Sequence, residues 1–216
     1  MVKDLSQKKT YQKIVAASLE LFNQDGERHV STNHIAAHLG ISPGNLYYYF
    51  HNKDEIILQL FKQYRQESIE RLSSNGICED IGMMIDYFQS AFALMWHYRF
   101  LFSDLTTLID RSDALANEYQ HFSQEHMGPI IRAHFNSMIV AGVVQMTEEQ
   151  VKSCIFNIWL ITKYWFSFDA SLHQGHLTEN TQERGMVQVL SLLQPYVSEQ
   201  YLNMFNEALN KFKVTD

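Results

Sequence analysis

Residues 31–55 constrain the fold more than any other stretch, because their caps and glycines predict two short helices joined by a tight turn. Ser31 or Thr32 can cap the first helix, since a hydroxyl group accepts a hydrogen bond from the free amides of an opening helical turn. Gly40 favours the left-handed conformation that commonly ends a helix. Ser42 can cap the second helix in the same way. A helix, a glycine-containing turn and a second helix form the helix-turn-helix pattern.

The second short helix carries more exposed aromatic side chains than packing requires. Leu46 and Phe50 lie four residues apart and can face inward, which leaves Asn45 and three consecutive tyrosines pointing largely outward. A phenol hydroxyl bonds phosphate oxygens, Gly44 lets the backbone approach closely, and Lys53 adds positive charge. The second helix of such a motif enters the DNA major groove. The alternative is a cluster of three core tyrosines, but so short a helix cannot bury three adjacent side chains on one face.

At these positions the sequence resembles the amino-terminal domain of the TetR family of bacterial transcriptional regulators, over residues 10–58. The family pattern is matched at fixed offsets by Thr32, Ile35, Ala36, Gly40, Ile41, Ser42, Gly44, Leu46, Tyr47, Phe50 and Lys53. Tyr49 stands where relatives often carry His, and Asn45 where many carry Thr. The resemblance implies DNA contacts from Thr32, Asn33, Ser42, Gly44, Asn45, Tyr47, Tyr48, Tyr49 and Lys53. Asn33, Gly44 and Asn45 are the expected readers of base edges, and the three tyrosines with Lys53 the expected phosphate contacts.

Composition and length favour an all-α protein. The chain has 216 residues, of which 46% are hydrophobic and 19% charged, so it can bury a sizeable core. Three prolines and nine glycines indicate few turns. The resemblance implies a TetR-like arrangement of an amino-terminal three-helix helix-turn-helix domain over residues 1–55 and a carboxy-terminal helical bundle over residues 73–216. A fourth helix, over about residues 52–72, links the two.

Helical spacing and helix breakers predict the remaining elements. Residues 1–9 are expected to form a flexible arm, and the first helix to run from about Ser6 or Thr10 to Asp25. The further helices are predicted over residues 79–98, 99–110 with an interruption, 113–139 with a kink at Pro129, 147–168 with Thr147 and Gln150 at its cap, 181–193 and 197–212. A loop is expected at residues 73–76, and a polar loop at residues 169–180.

Charge is distributed unevenly along the chain. The net charge is −7, yet residues 1–53 carry six Lys or Arg against four Asp or Glu, a net charge of +2 that leaves −9 for the remainder. The basic excess therefore coincides with the helix-turn-helix pattern, and the acidic body keeps non-specific DNA binding low. Because the asymmetry is modest, we expect a dimer that doubles the phosphate contacts.

Secreted, membrane, enzymatic and metal-binding roles find little support. No secretory signal is recognised, and the most apolar run, residues 154–168, is shorter than the roughly 20 residues of a membrane helix, so we expect a cytoplasmic protein with reduced thiols. Phosphate-binding glycine loops and a nucleophile elbow are absent from the sequence, and we expect neither an enzyme nor a cofactor. His34 and His38 have ligand spacing but lack a third ligand, so no metal site is expected.

The carboxy-terminal part is rich in aromatic residues and methionine. These residues can form a densely packed core or line an apolar cavity for a small-molecule effector, as the pocket of TetR-family proteins does. The candidate lining residues are Phe88, Phe92, Met95, Trp96, Phe102, Phe122, His126, Phe135 and Trp159. Residues 26–32, 41–51 and 98–105 also resemble the PhaD-type regulators, which respond to fatty acyl-CoA and control polyhydroxyalkanoate genes, so a fatty-acyl ligand is included as a hypothesis.

The last long helices, Thr147–Phe168 and Thr181–Leu193, are the expected homodimer surface, because family members usually pair through them. The outward apolar side chains that favour this are expected around Trp159, Tyr164, Val187, Val189 and Leu190. The function implied is a homodimeric repressor on a palindromic double-stranded DNA operator. The alternative is a DNA-binding factor on the same fold that responds to no ligand.

Overall fold

The computed structural model describes residues 2–74 and 78–213. Regular secondary structure in these residues is helical, with one isolated β-bridge between Val144 and Val197, which confirms the all-α fold class. Of the loop predicted at residues 73–76, Ser73 and Ser74 belong to the end of α4. The other two residues lie outside the described part of the chain.

The helices follow one another with short connections. In chain order they are α1 (Val2–Asp25), α2 (Thr32–His38), α3 (Pro43–Tyr49), α4 (Lys53–Ser74), α5 (Ile81–His97), α6 (Arg99–Ser103), α7 (Leu105–Arg111), α8 (Asp113–His121), α9 (Gly128–Val140), α10 (Glu148–Leu172), α11 (Thr181–Leu193) and α12 (Glu199–Phe212). Short 3₁₀ turns at Glu27–His29 and Gln194–Tyr196 precede α2 and α12.

Two compact units divide the chain. The first comprises residues up to Arg65 together with Tyr98–Glu118, and the second comprises Gln66–His97 together with the residues from Tyr119 onward. The first unit thus contains α1–α3, α6 and α7, together with most of α4 and most of α8. The inclusion of the segment from Tyr98 to Glu118 was not anticipated from the sequence.

The core of the first unit is built on the apolar face of α1. Ile14 and Phe22 of this helix are buried. Tyr11 stacks on Phe50 with ring centroids 4.9 Å apart, which seats the end of α3 against α1. Phe22 packs on Phe100 of α6 at 5.1 Å. These contacts hold the short helices on a rigid support.

The amino terminus differs from the prediction of a flexible arm. The first helix begins at Val2 rather than near Ser6 or Thr10, and residues 2–9 are its opening turns. These residues contain neither Gly nor Pro and include good helix formers such as Lys8 and Lys9, so little opposes continuation of the helix. The prediction of an arm was wrong for residues 2–9.

The second unit places α11 between α5 and α10. Gly185 of α11 makes this close approach possible, because a Cβ atom there would lie 2.5 Å from Phe92 Cε1 and 2.6 Å from Trp165 Cδ1. Phe92, Phe166 and Leu190 are buried in the resulting core. The α11 bounds are those predicted, and Thr147 and Gln150 form the predicted capping box of α10.

The polar stretch predicted as a loop from residue 169 begins four residues later, because α10 continues to Leu172. Asp169 is fully buried and accepts two hydrogen bonds from Arg184, at 2.7 and 2.8 Å, and one from Thr181 Oγ1 at 2.6 Å. A charged residue that looks solvated in the sequence is therefore an internal partner of α11, which explains why the helix does not end there.

Where a kink was predicted at Pro129, the structure has a π-helical turn over Phe122–Met127, between α8 and α9. Proline lacks the amide that an α-helix would need at that position, and its ring crowds the preceding turn. The wider π spacing brings His121 and His126 together, with ring centroids 5.3 Å apart.

Candidate nucleic-acid interface

The turn before α2 and the loop between α2 and α3 are fixed by local caps. Ser31 Oγ accepts from the His34 amide at 3.2 Å, and the Ser31 amide donates to His34 Nδ1 at 3.4 Å, so Ser31 rather than Thr32 is the cap. Gly40 has a φ of +65°, and the Ile41 amide donates to the Ala36 carbonyl at 3.0 Å. These contacts close α2 and define the angle at which α3 begins.

The helix α3 presents its polar face outward. Ser42 Oγ accepts from the Asn45 amide at 3.2 Å, as predicted, and Leu46 and Phe50 are buried. Tyr47 and Tyr48 expose 46% and 68% of their surface, which excludes the alternative of a three-tyrosine core cluster. Exposed phenols on a short capped helix are available to a partner with hydrogen-bonding oxygens.

Most predicted contact residues lie on the open surface of α2 and α3. Asn33, Ser42, Gly44 and Asn45 are exposed with the two tyrosines, whereas Thr32 and Tyr49 are half-buried. A Cβ atom at Gly44 would meet no heavy atom within 4 Å, so the approach to this backbone is open.

Two hydrogen bonds orient the tyrosines. Thr32 Oγ1 lies 3.3 Å from Tyr47 Oη, and Gln7 Nε2 donates to Tyr48 Oη at 3.3 Å. Tyr48 and Tyr49 also pack edge to face at 5.1 Å. Gln7 was not among the predicted residues, because the sequence placed it in a flexible arm.

Lys53 is the predicted contact with the strongest internal partner. Its Nζ lies 2.8 Å from both the side-chain Oε1 and the backbone oxygen of Glu27, and the side chain is 22% exposed. An ammonium group has three donors, and these two bonds leave one N–H for another acceptor. The predicted phosphate contact of Lys53 stays a prediction.

Glu27 is the buried centre of an ion-pair network in the first unit. Burial alone would raise its pKa, but the hydrogen bonds and charges of Arg111 and Lys53 outweigh burial and lower the pKa. Arg111 Nη2 lies 2.8 Å from Glu27 Oε1 and 2.7 Å from Asp54 Oδ1. Sequence reasoning did not identify this network, because its members are up to 84 residues apart.

The predicted pocket residues are distributed over both units. Phe88, Phe92, Met95, Phe122 and Phe135 are buried, and Trp96, His126 and Trp159 are half-buried, all in the second unit. Phe102 belongs to the first unit, where it packs on Tyr64 at 5.2 Å. Two open depressions on the described surface are lined mainly by polar residues and include none of the predicted set.

A continuous apolar stripe runs along the exposed side of α10. Its members recur every four residues and are 42–66% exposed: Phe156, Leu160, Tyr164, Phe168 and Leu172. Val189 and Leu190, expected to face outward, are fully buried within the chain, so that expectation was wrong. The four-residue spacing of the stripe was the signal in the sequence that would have identified it.

The described residues also bear on metal binding, membrane crossing and cysteine reactivity. Among residues 2–74 and 78–213, no three or more His, Cys, Asp or Glu side chains are arranged to hold a metal ion. Within the same residues, no helix is both long and apolar enough to cross a membrane. Cys78 and Cys154 are free and buried, and burial raises the pKa of each thiol to about 11.

The chain has two short capped helices, and the second of them exposes Asn45, Tyr47 and Tyr48. This arrangement places the chain in the class of helix-turn-helix DNA-binding proteins. Residues 14–60 match the family model described as bacterial regulatory proteins of the tetR family, and residues 58–205 match one described as a bacterial transcriptional repressor. The chain belongs to the TetR family of bacterial transcriptional regulators, as its sequence predicted. Proteins of this family are DNA-binding regulators and not enzymes, which confirms that expectation.

Solved structures and a curated protein extend the comparison. A TetR-family transcriptional regulator from Marinobacter aquaeolei VT8 is 36% identical, with a TM-score of 0.84 over 95% of this chain and 99% of that one. A TetR/AcrR-family regulator from Thermobifida fusca YX-ER1 shares the fold at 15% identity, with a TM-score of 0.60 over 95% and 100% of the two chains. The fatty acid metabolism regulator protein of Bacillus subtilis (strain 168) is 32% identical over 65 residues, which are 30% of this chain and 34% of that protein.

Proposed function

We propose that this TetR-family regulator is a homodimeric repressor that binds a palindromic operator in the cytoplasm and is released from it by an apolar small molecule. The observation that carries the DNA part is the exposed face of α3, where Asn45, Tyr47 and Tyr48 surround an open backbone at Gly44. The major groove of DNA admits an α-helix, and the residues at the amino-terminal end of such a helix contact the base edges.

The proposed contacts divide into two kinds. Asn33, Gly44 and Asn45 approach base edges, because a side-chain amide pairs with adenine in two places and glycine admits close contact. The three tyrosines and Lys53 approach phosphates, and Thr32 and Ser42 support them from the helix starts. Asn45→Ala should therefore relax sequence preference by about 1–3 kcal/mol at the base pair that it reads.

The proposed dimer surface is the stripe on α10, since five large side chains exposed in a row cost free energy unless a second surface covers them. A second copy offers the same stripe, as a two-fold interface requires. Leu160→Glu should convert the dimer to monomer in sedimentation experiments, because it places a charge in the apolar stripe. Met204→Glu is the matched control, since Met204 is 56% exposed on α12, outside the stripe. Equal dimerisation of both variants would refute the assignment.

The effector is proposed to be apolar, with a fatty-acyl compound as the first candidate. The aromatic set of the second unit and the partial similarity to a fatty acid metabolism regulator support this choice. Arg99, Arg111 and Arg132 would be natural partners of CoA phosphates, but each is hydrogen-bonded inside the chain, to Asn23, Glu27 and Glu148 respectively. A free fatty acid therefore deserves equal testing. A thermal shift with fatty acyl-CoA or fatty acid, absent with unrelated drugs, would support the class.

Selection of bound duplexes from a random DNA library, followed by titration of the winner at fixed salt, tests the proposal as a whole. We expect a palindromic site bound by one dimer, and affinity that falls when the effector is added. If a site is enriched but no fatty-acyl compound changes the affinity for it, the result would favour a DNA-binding factor on the same fold that responds to no ligand. A folded dimer that enriches no site would refute the operator proposal for the free protein.

A further inference from the structure

We infer that Arg111 is a positioning residue for DNA recognition, acting through Glu27 on the turn that precedes α2. The inference rests on the proposed operator binding. It adds that residues outside the helix-turn-helix set the orientation of α2 and α3. Arg111 lies at the end of α7, far along the chain from α2 and α3, and belongs to the same compact unit as they do.

The turn Glu27–His29 is bonded to α7 and to the residue that precedes it. Arg28 pairs with Asp104 and lies 3.4 Å from Thr107 Oγ1, while Glu27 pairs with Arg111. Thr107 and Arg111 lie four residues apart on one side of α7, and Asp104 is the residue directly before the helix. Leu105 and Leu108 of the same helix are buried. The polar side of α7 is therefore fitted to the turn from which α2 begins.

A single guanidinium group joins three elements at this point. Arg111 Nη2 reaches Glu27 Oε1 in the turn at 2.8 Å and Asp54 Oδ1 in the first turn of α4 at 2.7 Å. Glu27 retains only 7% side-chain exposure, so removal of Arg111 leaves a largely buried carboxylate with Lys53 as its remaining cation. An incompletely paired buried charge is costly, and the turn is expected to shift toward water in response.

The start of the segment 99–111 is also hydrogen-bonded to α1. Arg99 Nη2 donates to the Asn23 carbonyl at 3.3 Å, and Asn23 Oδ1 accepts from the Phe100 amide at 3.1 Å. Residues 99–111 thus contact the end of α1, the turn after it and the start of α4. The bonds that Arg111 makes in the structure go to Glu27 and Asp54, so we assign it an effect on DNA binding through position rather than through contact.

The experiment compares Arg111→Ala and Arg111→Lys with Arg132→Ala in the full-length protein. Arg132 is the matched control, because it is 40% exposed against 36% for Arg111 and pairs with Glu148 at the same 2.7 Å distance, in the second unit. Affinity for the selected operator and for unrelated duplex is measured over a range of salt concentrations. Amide hydrogen exchange of residues 27–50 is measured without DNA.

We expect Arg111→Ala to weaken operator binding on the order of tenfold while affinity for unrelated DNA changes little, because phosphate contacts survive and base contacts lose their register. For Arg111→Ala we also expect an unchanged slope of log affinity against log salt and faster amide exchange in α2. Arg111→Lys should restore part of the lost operator affinity, and Arg132→Ala should match the wild type. A salt slope reduced by about 0.9 would instead indicate a phosphate contact and overturn the inference.

Two further outcomes also overturn it: equal loss on operator and unrelated DNA, or exchange in α2 that is unchanged from the wild type. The hydrogen-exchange measurement needs no DNA, so it decides the role of Arg111 even if the wild-type protein selects no site. Failure of the operator proposal and failure of the positioning inference are thereby distinguished.

Discussion

Thr32 Oγ1 and Tyr47 Oη lie 3.3 Å apart, so the first turn of α2 and the middle of α3 share a hydrogen bond on the surface proposed to face DNA. Tyr47 is 46% exposed, which leaves part of the residue accessible to a further partner. The bond orients the phenol before DNA arrives, and this reduces the conformational entropy lost on binding.

Tyr47→Phe tests this orientation directly. The substitution keeps the ring and removes the hydroxyl, so we expect weaker binding to every duplex by about 0.5–1.5 kcal/mol, the net value of one hydrogen bond. Affinity for operator and unrelated DNA is compared by titration. Tyr201→Phe on α12 is the control, and a loss confined to the operator would show that Tyr47 reads sequence instead.

Lys53→Ala should reduce both folding stability and DNA affinity. Glu27 loses one of its two cations, which we expect to lower the free energy of unfolding by about 1–3 kcal/mol. If the remaining N–H also meets a phosphate, the slope of log affinity against log salt becomes shallower by about 0.9. An unchanged slope with lower stability would assign Lys53 to the Glu27 network alone.

Gly185→Ala should destabilise the second unit. The new methyl group would overlap Phe92 and Trp165, and Trp165 cannot easily move because its Nε1 donates to the Thr181 carbonyl at 2.7 Å. Overpacking of this kind costs about 1–3 kcal/mol, measurable by denaturant unfolding. Gly44→Ala makes the same chemical change in open space and should leave stability unaffected while weakening DNA binding. Equal stability of both variants would contradict the packing argument.

Asp169 should make stability depend on pH in the acid range. Burial raises its pKa, but hydrogen bonds from Arg184 and Thr181 and the charges of Arg184 and His173 outweigh burial and lower the pKa below its ordinary 3.8. A carboxyl group with a lowered pKa contributes stability above its ordinary pKa, and that contribution is lost as pH falls through the lowered value. We therefore expect the Tm of the wild type to fall as pH drops below about 4.

The D169N variant separates this group from other carboxylates. At neutral pH the substitution leaves Arg184 without its charged partner, so the free energy of unfolding should fall by about 3–5 kcal/mol. The Tm of the variant should also vary less between neutral and acid pH than that of the wild type. Glu148→Gln is the control, because Glu148 is 61% exposed and its ion pairs lie at the surface. A D169N curve parallel to that of the wild type would rule out this source of the acid sensitivity.

The helix-turn-helix was predictable because its determinants are local. Ser31, Gly40 and Ser42 act within three to five residues of their own positions, and the sequence displays such signals directly. Asn52 caps α4 in the same local way, because its Oδ1 accepts from the Glu55 amide at 2.9 Å. Glu55 itself accepts from the His51 amide rather than completing a capping box with Asn52.

The remaining contacts depend on pairings that sequence spacing does not encode. Arg111 and Glu27 are 84 residues apart, and neither differs in sequence context from a solvated surface charge. Asp169 was predicted to lie in a loop for the same reason. Among the side chains expected to face outward, Tyr164 of α10 is exposed, but Val189 and Leu190 of α11 are buried because α11 packs against both α5 and α10.

The contacts that Asp104, Thr107 and Arg111 make with the turn before α2 have a consequence for how this stretch can vary. Replacement of one residue among 104, 107 and 111 removes one contact and leaves the other two. Insertion or deletion of a single residue between Thr107 and Arg111 turns the following part of the helix by about 100° and carries Arg111 away from Glu27 altogether. The length of α7 is therefore constrained more tightly than its composition, and a functional relative can exchange residues here more readily than it can gain or lose one.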